Sequence, residues 1–213
     1  MRFTEKTTER KCEKIMTMIP NFQCPSCGLI IQEEVRTFIP CSYLTLLCWT
    51  MGHIQNHAFI ERFCNYILER CDRPMKFRNQ RHEEIFKNEA RKPRNQSACT
   101  LTALYLFSAD NYLWSKTKHC FGKNKTVFFD IPLRGISISA YTLYKTALSL
   151  CLGTDDISIS QLADRNTVSP MLFEIICESM TLRRYGVAAL NAAESEPSKP
   201  QSNCKRTVHI NED

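Results

Sequence analysis

Apolar residues recur at helical spacing along most of the chain after residue 56. Phe59, Ile60, Phe63, Cys64, Ile67, Leu68 and Cys71 follow one another by threes and fours, which predicts an amphipathic helix over 57–71, ended by Pro74. A short helical piece is expected around His82 to Arg91, interrupted by Pro93, and the lone His82 beside Glu83 and Glu84 reads as a solvated surface residue. Ala98 to Ala109 is apolar almost all round, the pattern of a helix buried centrally. Asp110 is placed to cap a following turn that carries Tyr112, Leu113 and Trp114, with Lys116, Lys118 and His119 at its basic end.

The pattern continues with Ala140, Leu143, Tyr144, Ala147, Leu150 and Cys151, a helical stripe that Ser139 can cap and that Gly153 stops. Ser158-Ile159-Ser160-Gln161 is a capping box opening a short helix through Leu162 and Ala163. Ser169-Pro170 opens the last helix, with Phe173, Ile176, Cys177 and Met180 on one face, Arg183 and Arg184 in the final turn and Gly186 as its stop. Val127-Phe128-Phe129 is the strongest strand candidate, and it is short. The expected fold class is therefore mostly α: a small helical domain with at most a short β element near 126–130.

Three segments follow. Residues 1–74 form a cysteine-rich extension, residues 75–190 the helical domain, and residues 191–213, rich in Ser, Pro, Glu and Lys, a disordered tail. The helical domain is expected to fold without the extension, and Met75 is a candidate internal start.

Composition narrows the class. At 43% hydrophobic and 23% charged, the chain is ordinary globular material. No run of about 18 apolar residues occurs, and the most apolar stretch, Phe38 to Met51, is too short for a membrane span. The opening residues are charged and lack the apolar centre of a signal peptide, so a cytoplasmic setting is expected, and the sequons at Asn95 and Asn124 read as chance tripeptides. The net charge of +6 lies in the middle of the chain: residues 75–190 carry 16 basic and 10 acidic groups. That admits an acidic partner, although solubility alone accounts for it.

Twelve cysteines in a reducing setting suggest thiols or metal ligands rather than disulfides. Cys24-Pro25-Ser26-Cys27-Gly28 has the form of half a zinc knuckle, with two thiolates around one metal and a glycine for the turn. Cys41, Cys48, His53 and His57 are the candidates for the other half. His53 and His57, four apart, share a face if they lie on one helix, so the candidate zinc ligands are Cys24, Cys27, His53 and His57. Against this, 25 residues separate Cys27 from His53, compared with about 12 in a C₂H₂ finger, and no second Cys-x-x-Cys occurs. The competing reading is a stretch of small buried hydrophobes.

The two short helices joined at Asn166-Thr167-Val168-Ser169 suggest a degenerate helix-turn-helix over about 159–185, and through it a nucleic-acid-binding regulator. The turn lacks glycine, Asn166 stands where an apolar residue packs, and Pro170-Met171-Leu172-Phe173-Glu174 offers no side chain suited to base edges. No Gly-x-Ser-x-Gly, phosphate loop or dinucleotide fingerprint points to an enzyme, and Asp155-Asp156 reads as a turn. The segments Leu104–Trp114, Leu133–Ser137 and Tyr141–Tyr144, continued by Ile159–Gly186, resemble a family of short uncharacterised bacterial proteins, some of them encoded near mobile elements. The resemblance covers about residues 81–190, rests on packing motifs, and implies no activity. The leading expectation is a non-enzymatic accessory or interaction protein of the bacterial cytoplasm, with an unknown protein partner.

Overall fold

The computed structural model describes residues 42–70, 75–121, 131 and 133–195. Among them most helices begin in one way: a Ser, Asn or Asp just outside the first turn accepts a backbone N–H with its side chain. Ser42 caps α1 (Tyr43–Met51), Asn56 caps α2 (His57–Glu69) and Asn79 caps α3 (Gln80–Ala90). Ser97 caps α4 (Ala98–Ser108), Asp110 caps α5 (Asn111–Thr117) and Ser137 caps α6 (Ile138–Leu152). Ser158 caps α7 (Ile159–Ala163) with the reciprocal Gln161 contact of a capping box, and Ser169 caps α8 (Pro170–Tyr185). Gly186 ends α8, and α9 (Val187–Ser195) follows at once. The described residues are thus mostly helical and contain no strand. No helix among them is long and apolar enough to cross a membrane.

α4 and α8 form the centre. Thr100 to Ser108 of α4 are all buried, as an all-round apolar sequence requires, and α4 packs on α8 and α6 while α3 covers its far side. α8 is enclosed in turn by α4, α1, α6 and α9. Aromatic contacts join the layers: Phe59 of α2 meets Phe173 of α8 edge-on at 5.0 Å, and Phe107 of α4 stacks on Tyr144 of α6 at 6.0 Å.

The structure refines several expectations. α6 is capped by Ser137, two residues before Ser139, while Gly153 takes the left-handed conformation (φ 72°) expected of its stop. α2 buries Phe59, Ile60, Arg62, Phe63 and Tyr66, so its core face is rotated from the apolar stripe and Leu68 is 45% exposed. The apolar core also crosses residue 75. Tyr43, Leu47, Met51, Phe59 and Phe63 are fully buried in the same core as Leu104, Leu143 and Ile176. Helical structure continues past residue 190 to Ser195. The β element near 126–130 lies outside the described residues, as do residues 1–41 and 196–213.

Candidate functional site

Cys24 and Cys27 lie outside the described residues. His53 and His57 are described, exposed, and do not share a helix: His53 sits in the turn after α1, and His57 is the first residue of α2. His53 Nε2 instead lies 3.2 Å from Arg184 Nη2. Among the described residues no three His, Cys, Asp or Glu side chains are grouped to hold a metal.

The α7–turn–α8 unit is real, and its role in the fold is packing. A five-residue helix has no stability of its own, and α7 is held by an arginine from another helix. Arg62 of α2, almost wholly buried, donates Nη1 to the carbonyls of Leu162 (3.0 Å), Ala163 (3.5 Å) and Asp164 (3.2 Å) and Nη2 to that of Val168 (2.5 Å). Its guanidinium also lies 4.3 Å above the Phe173 ring. One side chain therefore satisfies the open carbonyl end of α7 and fixes the turn into α8. Asp164 closes that turn from the other side, accepting from Asn166 N at 2.9 Å and Thr167 Oγ1 at 2.6 Å. Asn166 is exposed, and Val168 fills the packing position. The first turn of α8 exposes Pro170 and Met171 and its last turn exposes Arg183 and Arg184, while Leu172, Phe173, Ile175 to Ser179, Thr181 and Leu182 are buried. The exposed Pro170 and Met171 carry no hydrogen-bonding side chain suited to base edges.

A second buried polar group lies deeper. Glu178 of α8 is fully buried and accepts hydrogen bonds from the hydroxyls of Tyr43 and Tyr66 and from Arg70 Nη1 at 2.5 Å. Arg70 Nη1 also donates to Tyr66 Oη at 2.6 Å and stands over the Tyr43 and Tyr66 rings. Burial opposes the Arg70 charge most strongly, but Glu178, Tyr66 and Tyr43 together outweigh it and hold the guanidinium above its ordinary pKa. Burial, and then the Glu178 charge, raises both phenols well above 10, so they remain donors. The carboxylate is thus satisfied on all sides, as a buried charge must be.

His82, expected at the surface, is 1% exposed. Its ring lies among Phe77 and Tyr105, at 5.1 and 4.7 Å between centroids. Nδ1 accepts from Arg78 N (3.1 Å), which places the proton on Nε2, facing the Tyr105 carbonyl at 2.9 Å. Burial, with help from Arg78, pulls its pKa down to about 3. Arg62, Glu178 and His82 are the polar residues that sequence reading missed. Phe59, Arg62, Phe63 and Tyr66 stand at i, i+3, i+4 and i+7, so the face that buries Arg62 was present in the spacing.

A small recess lies where the first turns of α6 and α8 meet. Ser139 and Leu143 of α6, Ser169, Met171, Leu172 and Ile175 of α8, and Arg78 line a recess of about 60 Å³. The Arg78 guanidinium is held there by the Ala109 carbonyl at 3.1 Å and Asp110 at 3.5 Å. Two helix amino ends and the Asp110-paired Arg78 put hydrogen-bond donors at its rim, while Leu143, Leu172 and Ile175 give it an apolar floor. Ile138, the residue beside Ser139, is 83% exposed, and Met171 is exposed on the facing helix. Ligand pockets run to about 300–1,000 Å³, so this recess fits a single side chain. Compared with known protein families, curated proteins and solved structures, the chain shows no match.

Proposed function

We propose that the chain is a non-enzymatic accessory or interaction protein of the bacterial cytoplasm, and that the recess between the amino ends of α6 and α8 receives an anchoring side chain of a partner protein. The observation that carries this reading is Ile138, a large aliphatic residue 83% exposed on the rigid first turn of a long helix, beside an apolar recess. Isolated exposed apolar residues are ordinary, but Ile138 and Met171 flank a concave site whose donor-bearing rim adds a second means of recognition. A partner segment with an aliphatic or aromatic side chain next to a carboxylate suits both.

The test is Ile138→Asp, alone and with Met171→Asp, in the full chain. A partner captured from source cells by the wild type should be released by the variants, with their thermal midpoints unchanged. Retention of the same partner by both variants overturns the recess as the site. Retardation of duplex DNA that weakens steeply with salt, with no protein partner, favours the nucleic-acid reading instead.

A further inference from the structure

Cys99 and Cys151 meet where three helix ends converge. Cys99 is the second residue of α4, Cys151 lies in the last turn of α6, and Arg183 lies in the last turn of α8. The convergence is close: a Cβ on Gly186, which ends α8 at φ +55°, would come 3.3 Å from the Ala98 Cβ at the start of α4. Cys151 Sγ donates to the Cys99 carbonyl at 3.3 Å, which sets the two cysteines side by side. Arg183 Nε is anchored on the Leu150 carbonyl at 2.7 Å, beside the pair. Both cysteines are partly exposed, whereas Cys48, Cys120 and Cys177 are buried.

We propose that Cys99 and Cys151 are a peroxide-oxidised dithiol that closes to a disulfide between α4 and α6. The roles are set by position. Cys99 sits in the first turn of a helix, where the amino-terminal N–H groups and Arg183 favour a thiolate. The adjacent Cys151 thiol, with a smaller contribution from Arg183, brings the Cys99 thiol down to about 7 against the opposing effect of burial. The same pairing and burial push Cys151 up, so it stays a protonated donor. The positive Arg183 that stabilises a thiolate also repels a metal cation, which favours oxidation over metal binding at this pair.

The Cys99 thiolate attacks one oxygen of hydrogen peroxide. The O–O bond breaks, Cys99 becomes a sulfenic acid, and the hydroxide released takes a proton from solvent to become water. The Cys151 sulfur then attacks the Cys99 sulfur, an S–S bond forms, the S–O bond breaks, and the departing hydroxide leaves as water with the Cys151 proton. The two thiols lose two electrons and peroxide gains them, giving one disulfide and two waters.

Tryptic cleavage isolates each partner with no other cysteine, in the peptides Asn95–Lys116 and Thr146–Arg165. Full-length reduced protein is treated with equimolar hydrogen peroxide near neutral pH, remaining thiols are alkylated, and the digest is mapped by mass. The expected result is a cross-linked 95–116/146–165 species, about two mass units lighter than the summed peptides and released by dithiothreitol. Cys151→Ser should leave a Cys99 sulfenic acid that dimedone traps. In unoxidised protein Cys99 should alkylate at least about tenfold faster than Cys120. A first-formed disulfide elsewhere in the chain overturns the proposal, and so does a Cys99 that alkylates no faster than Cys120.

Discussion

The Tyr43 hydroxyl at the start of α1 donates to Glu178 in the middle of α8, 135 positions away. Tyr66 and Arg70 at the end of α2 reach the same carboxylate. Among the described residues, the hydrogen bonds that satisfy this buried carboxylate therefore come from residues before position 71. A chain beginning at Met75 loses every hydrogen bond to Glu178 described above and uncovers one side of α8. We expect such a chain to lack a cooperative thermal transition. In the full chain, Arg70→Ala should cost about 3–5 kcal/mol because it leaves a buried carboxylate without its counter-charge. Tyr43→Phe should cost about 1.5–3 kcal/mol, the worth of one hydrogen bond to a charged group. A Met75 chain that melts cooperatively near the full-length midpoint would show that α1 and α2 are dispensable.

Arg62 governs a smaller unit. Arg62→Leu keeps the apolar bulk against Phe173 but removes the donors to Leu162, Ala163, Asp164 and Val168. Residues 159–168 should then exchange amide hydrogens far faster, while α4 and α6 remain protected. The global cost should be about 2–4 kcal/mol, since several buried carbonyls are left unpaired. Arg62→Lys should rescue little, because an ammonium cannot span the carbonyls on both sides of the turn. Unchanged exchange at 159–168 in Arg62→Leu would mean that α7 is held by its capping box alone.

The helices were legible because their signals are local. Caps at Asp110, Ser158 and Ser169 and stops at Gly153 and Gly186 act within a turn of themselves, and each stands where its sequence places it. Ser137 rather than Ser139 caps α6 because both serines precede the same stripe and only the packing of the helix chooses between them. The buried polar residues were not legible for the opposite reason. His82 sits beside two glutamates in sequence, and only Phe77 and Tyr105, brought in by folding, give it an apolar surround. Glu178 needs Tyr43, Tyr66 and Arg70, and a partner more than a hundred positions away leaves no mark on local spacing. The recess likewise exists only because the first turns of α6 and α8 meet in space.

Leu143 and Ile176 occupy the centre of the core, both fully buried, on α6 and α8. Leu143→Ala and Ile176→Ala should each destabilise the protein by about 2–5 kcal/mol, the range for cutting a large aliphatic side chain from a packed interior. Leu143 also floors the recess, so its variant can relax toward solvent and should fall at the lower end. Urea midpoints measure both, and an unchanged midpoint in either would misplace the core.

Stability should fall at both ends of the pH range, for different residues. His82 has a folded pKa of about 3, against about 6.5 for an unfolded histidine. Between those values the unfolded chain binds a proton that the native chain refuses, so unfolding becomes easier as pH falls. The His82 contribution is complete above about pH 6.5 and is lost toward pH 3, with a slope of up to about 1.4 kcal/mol per pH unit. His82→Gln should flatten that slope between about pH 6.5 and 5, above the range where most carboxylates titrate. At the alkaline end Tyr43, Tyr66 and Tyr105 are raised well above 10, first by burial and then by the Glu178 charge. Their contribution is present below about pH 10, the unfolded value, and is lost as pH rises toward the folded values. Phenolate absorbance of Tyr43, Tyr66 and Tyr105 should therefore appear in one cooperative step as the core opens. A wild type and a His82→Gln variant with parallel stability between pH 6.5 and 5 would refute the acid limb, and a single smooth titration of all seven tyrosines would refute the alkaline one.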